Sequence, residues 1–211
     1  LFWKPCEIYR RVLKYHHIQN LFFNSNTFII ENKHKKIIVI DPGNPDVQPL
    51  ISLINKNKWS IEGVLLTHEH ADHIAGLPGL CKFRKFPVYC SQITAVNIGN
   101  SKNNFSKYID EIKTFELDVI TQVLCDNESF TIGAMEFLFM ETPGHSPGGA
   151  CIFTSDAVFT GDTILNQMKV PLNFPHSNKK QYDISLIKIK KQLKPGMTIF
   201  PGHGEPFKYN S

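Results

Sequence analysis

The sequence lacks the features that would staple a chain together or thread it through a membrane. Its five cysteines, Cys6, Cys81, Cys90, Cys125 and Cys151, are an odd, scattered set with no CxxC pair. That argues against a disulfide framework or a thiolate zinc site, and for reduced thiols in a reducing compartment. No apolar run approaches the roughly 20 residues that a membrane helix needs, so an integral membrane protein is not expected. Arginine is scarce, 3 residues against 20 lysines, and the net charge is only +4. Such a balance attracts anionic small molecules weakly and falls well short of a nucleic-acid footprint. From Leu1 onward no basic segment leads into an apolar stretch and a small-residue cleavage site, so a cytoplasmic protein is expected; a targeting segment upstream of Leu1 would lie outside this sequence. No repeat, low-complexity tract or linker divides the chain, and residues 1–211 read as one domain.

What the chain does have is Thr67-His68-Glu69-His70-Ala71-Asp72-His73-Ile74-Ala75-Gly76, directly after the apolar run Val64-Leu65-Leu66. Three imidazoles and a carboxylate within six residues, at the end of a buried strand, deliver several donors for a borderline transition metal to one small volume. In an extended loop, side chains two apart point the same way, which groups His68 with His70. A helix starting at Asp72 presents Asp72 and His73 from another angle, and that spacing suggests two adjacent metals.

Around this cluster the pattern alternates between strands and helices. Residues 22–31 and 36–40 read as a hairpin across the polar turn 32–35. Asn44 is placed as an N-cap with Pro45 at the first helical position, opening a helix with Val47, Leu50, Ile51 and Ile54 on one face. A strand over 61–66, a short helix to about Leu80, a strand over 87–90 and a helix over 92–98 capped by Ser91 follow. Residues 105–115 carry a weak helical signal. Short strands are expected at 123–125, 129–132, 135–141, 150–154, 157–159 and 198–200. Between the last two, residues 181–193 read as a helix with Tyr182, Leu186, Ile189 and Leu193 on one face and Lys188, Lys190, Lys191 and Lys194 solvated.

Three more donors share one local setting, in which a strand ends and a glycine immediately precedes the donor: Gly144-His145, Gly161-Asp162 and Gly202-His203. Glycine permits the sharp turns and close backbone approach that loops converging on a metal require. Seven donors divide into three imidazoles for one metal, an aspartate and two imidazoles for the other, and one carboxylate bridging. His16, His17 and His34 have no such company and read as surface or structural residues, whereas His176 sits in a loop that could line a pocket.

The strings THEHADHIAG, TPGHSPGG, FTGDT and PGHGEP, in this order, resemble the metallo-β-lactamase-fold hydrolases, and among them the glyoxalase II-like subgroup in its short form without the C-terminal helical domain. The resemblance runs from about Phe22 to Phe207. It implies an α+β fold, an αββα sandwich of two mixed β-sheets flanked by helices, with a dinuclear site at one edge. By position, His68, His70 and His145 match the ligands of one metal, Asp72, His73 and His203 those of the second, Asp162 the bridging carboxylate and Asp41 a structural aspartate nearby. The implied chemistry is cleavage of a thioester or ester, such as the anionic glutathione thioester S-lactoylglutathione, by a hydroxide shared between two divalent ions and oriented by Asp72. Zinc suits the donor set best, and iron or manganese is also accepted. His73 stands where many true β-lactamases of the fold have arginine, and the bridging position is aspartate rather than cysteine, so antibiotic hydrolysis is not expected. Residues 163–169 lack the Gly-Cys-Gly-basic pattern of the glyoxalase family, leaving Lys169 and His176 as candidate substrate contacts. Residues 99–122 and 164–180 are expected to wall the site. The alternatives of the same fold are a mononuclear iron persulfide dioxygenase, a lactonase, and a phosphodiesterase or nuclease.

Overall fold

A computed structural model describes residues 14–210; Cys6 lies outside the described residues. Two six-stranded sheets face each other. The first runs in chain order: β1 (Lys14–Gln19), β2 (Asn26–Glu31), β3 (Lys36–Ile40), β4 (Ser60–Leu65), β5 (Val88–Cys90) and β6 (Thr121–Val123). The second contains β7 (Glu128–Ile132), β8 (Met135–Glu141), β9 (Ala150–Phe153), β10 (Ala157–Gly161), β11 (Thr198–Pro201) and β12 (Phe207–Lys208). Both sheets are mixed: β3 to β6 pair in parallel, as do β10 and β11, while the other pairings are antiparallel.

The apolar runs of β2 and β3 are continuous rather than alternating because both faces of the first sheet are covered. Phe28, Ile30, Ile38 and Ile40 point between the sheets onto Phe137, Phe139, Ile152 and Phe159. Ile29, Ile37 and Val39 point the opposite way, onto α1 (Gln48–Asn57) and α3 (Leu77–Phe83). On the far side of the second sheet, Ile189 of α5 (Lys179–Lys190) and Leu193 pack on Leu138, Met140 and Val158. Helix, sheet, sheet and helix are therefore four layers, the architecture expected from the resemblance.

Several boundaries differ from the sequence reading. Helix α1 begins at Gln48, not after Asn44, because Asn44 Oδ1 accepts from the Asp46 amide (3.2 Å) and Asp46 Oδ1 from the Gln48 amide (3.0 Å). Those side chains stabilise turns that compete with helix until Pro49 enters the first turn. The helix expected over 105–115 is reduced to one 3₁₀ turn, Ser106–Tyr108, since the side chains of Asn104 and Ser106 take up the backbone groups of Ile98 and Phe115. Lys188 is half-buried rather than solvated: it pairs with Asp126 and donates to the Glu141 carbonyl (2.9 Å). Strands β1 and β12 carry no clear alternation and become strands through their partners. Ser91 does cap α4 (Gln92–Asn97), accepting from the Thr94 amide at 3.1 Å. No helix among the described residues is long and apolar enough to cross a membrane.

Candidate metal centre

The parallel pairings aim strand ends in one direction, and the chemistry collects there. Asp41 follows β3, the segment from Thr67 to His73 follows β4 into the short helix α2 (Ala71–Ile74), His145 follows β8, Asp162 follows β10 and His203 follows β11. The two sheets are stitched at this edge. Asn26 makes the stitches: its amide donates to the Gly202 carbonyl (2.8 Å), its side-chain nitrogen donates to the carbonyls of Pro201 (2.9 Å) and Gly204 (2.7 Å), and its Oδ1 accepts from His17 Nε2 (2.7 Å). A Cβ on Gly202 would run into Asp162 Oδ1 and come within 2.7 Å of the His73 ring, so the strand end reaches the donors only as glycine.

All seven donors converge. One group is His68, His70 and His145 and another is Asp72, His73 and His203, each able to offer ligand atoms within 4.8 Å of one another. Asp162 lies between them, its carboxylate 3.4 Å from His145 Nε2, 3.5 Å from His203 Nε2 and 3.6 Å from His73 Nε2. Asp72 Oδ2 is 3.2 Å from His203 Nε2 and 3.6 Å from His73 Nε2.

Four of the five imidazoles are held from behind, leaving the other nitrogen facing the centre. His73 Nδ1 donates to Asp41 Oδ2 (3.0 Å), His145 Nδ1 to the Pro171 carbonyl (2.8 Å) and His203 Nδ1 to the Phe23 carbonyl (3.2 Å). His68 Nδ1 donates to Thr67 Oγ1 (3.1 Å), whose own proton goes to Asp41 Oδ2 (2.5 Å). Asp41, in a left-handed backbone conformation (φ 49°), thus fixes the tautomers of both His68 and His73. Asp41 also falls within a third donor group with His68 and His73, but its oxygens are occupied by Thr67 and His73, which places it behind the centre.

Buried side-chain polar atoms ordinarily have partners. Among the described residues three do not: His68 Nε2, His73 Nε2 and Asp162 Oδ1, all facing this centre. The donor set therefore fits cations held between imidazoles and carboxylates. Electrostatics agree. Burial, reinforced by the neighbouring imidazoles, pushes His68 and His70 well below the ordinary histidine range, so both are neutral and able to ligate. Burial opposes charge on His73, yet the Asp72, Asp41 and Asp162 carboxylates push it up to about 10. Burial likewise opposes charge on Asp72, but His73 and His203 hold its carboxyl below the usual range. The carboxylates thus create a field that demands positive charge among them.

Lys169 and His176 are exposed and make no hydrogen bond or ring contact with the seven donors. The loop that carries them does reach the centre, through Pro171, through Phe174 and through Ser177, whose Oγ donates to the His145 carbonyl (2.7 Å). Sequence reasoning missed Glu69, which stands between two donors as though it were a spacer. It is 1% exposed and accepts from Asn97 Nδ2 (3.0 Å), Thr94 Oγ1 (3.3 Å) and Ser146 Oγ (3.3 Å), tying the first histidine loop to α4 and to the His145 loop. Its burial next to two donors is a signal available only in three dimensions.

Comparison with known proteins agrees with this fold. The chain is 30% identical over 146 residues to a hydroxyacylglutathione hydrolase of Enterobacter sp. (strain 638), covering 69% of this chain and 49% of that protein, so it spans about half the length of that curated relative. Among solved structures it is similar to the BLEG-1 B3 metallo-β-lactamase, with a TM-score of 0.85, 24% identity and coverage of 92% of this chain and 94% of that one. It is also similar to TTHA1623 in a di-iron-bound form, with a TM-score of 0.79, 22% identity and the same two coverages. At these identities the structures speak for the fold alone. The sequence match to the family described as "Metallo-beta-lactamase superfamily" runs over residues 21–203, from the loop behind His203 to His203 itself, and the chain belongs to that superfamily.

Proposed function

We propose that the chain is a dinuclear metal-dependent hydrolase acting on a thioester or ester, with a hydroxyacylglutathione thioester as the candidate substrate. The observation that carries this reading is the set of three buried atoms without a hydrogen-bond partner, His68 Nε2, His73 Nε2 and Asp162 Oδ1, in a centre of seven converging donors. His68, His70 and His145 would hold one divalent ion, Asp72, His73 and His203 the second, and Asp162 both. Zinc, iron and manganese all accept imidazole and carboxylate, and the fold neighbour crystallised with two irons makes iron a live choice beside zinc. The relative named as a hydroxyacylglutathione hydrolase supports the thioester class.

When bound, such ions supply Lewis acidity, bringing the pKa of water towards neutrality and polarising a carbonyl. The protein's own groups do the rest. Asp72 stays ionised, so its Oδ2 can accept a hydrogen bond from the attacking water and orient it. Asp41 and Thr67 keep His68 and His73 in the tautomers that present Nε2 to the centre. The Pro171 carbonyl does the same for His145, and the Phe23 carbonyl for His203. The free thiols of Cys81, Cys90, Cys125 and Cys151 support a reducing, cytoplasmic setting.

The test is elemental analysis of gently purified protein alongside hydrolysis of S-lactoylglutathione. Two divalent ions per chain and turnover faster than that of unrelated thioesters is the expected result. One iron per chain, oxygen consumption with glutathione persulfide and no hydrolysis would replace this reading with a dioxygenase.

A further inference from the structure

The His70 and His145 side of the centre is covered by phenylalanine, not by charge. The Phe105 ring lies 4.7 Å from the His70 ring, and the Phe174 ring 5.5 Å from His70 and 5.6 Å from His145. The two phenylalanines touch each other, their centroids 5.6 Å apart at 31°. They come from separate segments, so neither placement follows from the other. Phe174 remains 40% exposed and Phe105 is half-buried, whereas His70 and His145 are 6% and 4% exposed. The rings therefore form an apolar wall with its outer surface open beside the donors.

The wall is built, not incidental. Phe105 sits at φ 65°, ψ 0°, a left-handed conformation that a phenylalanine rarely adopts. Buried polar side chains on either side hold it there. Asn104 donates to the carbonyls of Ile98 and Phe115 (both 3.1 Å) and accepts from the Ser106 amide (2.8 Å). Ser106 Oγ donates to the Phe115 carbonyl (3.0 Å) and accepts from the Phe115 amide (3.1 Å). Strain retained by surrounding structure next to a reactive centre is a feature of functional sites. Among the described residues, no lysine or arginine forms an ion pair or cation–π contact with the seven donors or with these two rings. On the His70 and His145 side the contacts made with the donors are thus apolar.

Resting on the hydrolase reading above, we propose that Phe105 and Phe174 are specificity-determining residues, and that one of the two substituents flanking the cleaved bond, acyl or thiol, is an apolar aliphatic or aromatic group; a hydroxyacyl thioester satisfies this only with its thiol side on the wall. A polar substituent there would be desolvated against the two rings without a partner.

The experiment uses metal-loaded protein and two sets of thioesters, one varying the acyl group from acetyl to hexanoyl on a constant thiol, the other varying the thiol on a constant acetyl group. A fully buried methylene is worth about fourfold in transfer. On a half-open wall, kcat/KM is expected to rise on the order of tenfold or more along one set. Phe105→Ala and Phe174→Ala should each flatten that rise, and Phe105→Leu, which keeps apolar surface, should preserve it. The ratio of hexanoate to acetate affinity, measured by titration calorimetry, should fall in the same alanine variants. No gradient in either set, or a gradient that survives in both alanine variants at unchanged unfolding temperature, overturns the proposal. If no ester or thioester is cleaved at all, the hydrolase reading fails. The hexanoate-to-acetate ratio then judges the wall: loss in the alanine variants supports it, and equal affinity overturns it.

Discussion

Thr67→Val isolates the hydrogen bonds behind the metal centre, because valine replaces the hydroxyl with a methyl of nearly the same shape. Thr67 is 1% exposed, so no water can substitute for the lost group. Its Oγ1 makes two contacts, donating to Asp41 Oδ2 at 2.5 Å and accepting from His68 Nδ1 at 3.1 Å. A hydrogen bond to a charged acceptor contributes about 1.5–3 kcal/mol, and an orphaned buried N–H costs about 1–3 kcal/mol. Asp41 keeps its bonds from the Thr67 amide and from His73, so the loss falls towards the lower ends of these ranges, about 3 kcal/mol in the metal-free protein. The second consequence is on metal affinity. Without its acceptor His68 can rotate or change tautomer, and loss of a group that orients a ligand typically weakens metal binding about 10–100-fold. Urea unfolding of the metal-free protein reads the first effect, and competition with a chromophoric chelator reads the second. Thr67→Ser, which retains the hydroxyl, should recover most of both. Unfolding free energy within about 0.5 kcal/mol of the parent, together with metal affinity within about threefold, would refute the assignment of Thr67 as the link between Asp41 and His68.

Removing the metal should also register globally. Ligand at about 1,000 times its Kd stabilises by about 4 kcal/mol per site, and for a chain of this size each kcal/mol moves Tm by about 2–4 °C. Chelation should therefore lower Tm by at least about 8 °C, reversibly on adding zinc, iron or manganese back; an unchanged Tm with verified metal loss would count against the centre. Thiol chemistry gives an independent check on the core. Burial pushes the Cys90 thiol up to about 12 and Cys151 up to about 11, so at pH 8 both stay protonated in the folded state, while Cys125 is exposed. Brief alkylation at pH 8 followed by peptide mass mapping should label Cys125 ahead of Cys90 and Cys151, which react only after denaturation; early labelling of either buried thiol would show that the strand packing described here is wrong.

The sequence by itself determined the elements whose physics is local. Strong apolar runs such as 26–31 and 135–141 could only be buried strands, and Ser91 could cap α4 because an N-cap needs nothing beyond its own turn. The seven donors were legible too, because each sits in a Gly- or His-rich strand end whose grammar repeats. Where local side chains compete with helix, as at Asn44, Asp46, Asn104 and Ser106, periodicity misplaced the boundaries, since a hydrogen bond to a nearby amide leaves no trace in the hydrophobic pattern. Strand β1 became legible only through its pairing with β2. The grouping of the donors was already legible through the resemblance, but only the tertiary structure brings them together: the rings of His73 and His203, 130 residues apart, lie 5.4 Å from each other through the parallel pairing of β10 and β11 and the packing of the two sheets. The tertiary structure also decided that Glu69 braces rather than ligates, that Lys169 and His176 stand away from the donors, and that Phe105 and Phe174 face them. Side-chain direction in a loop is set by contacts distant in sequence, and those contacts exist only once the chain has folded.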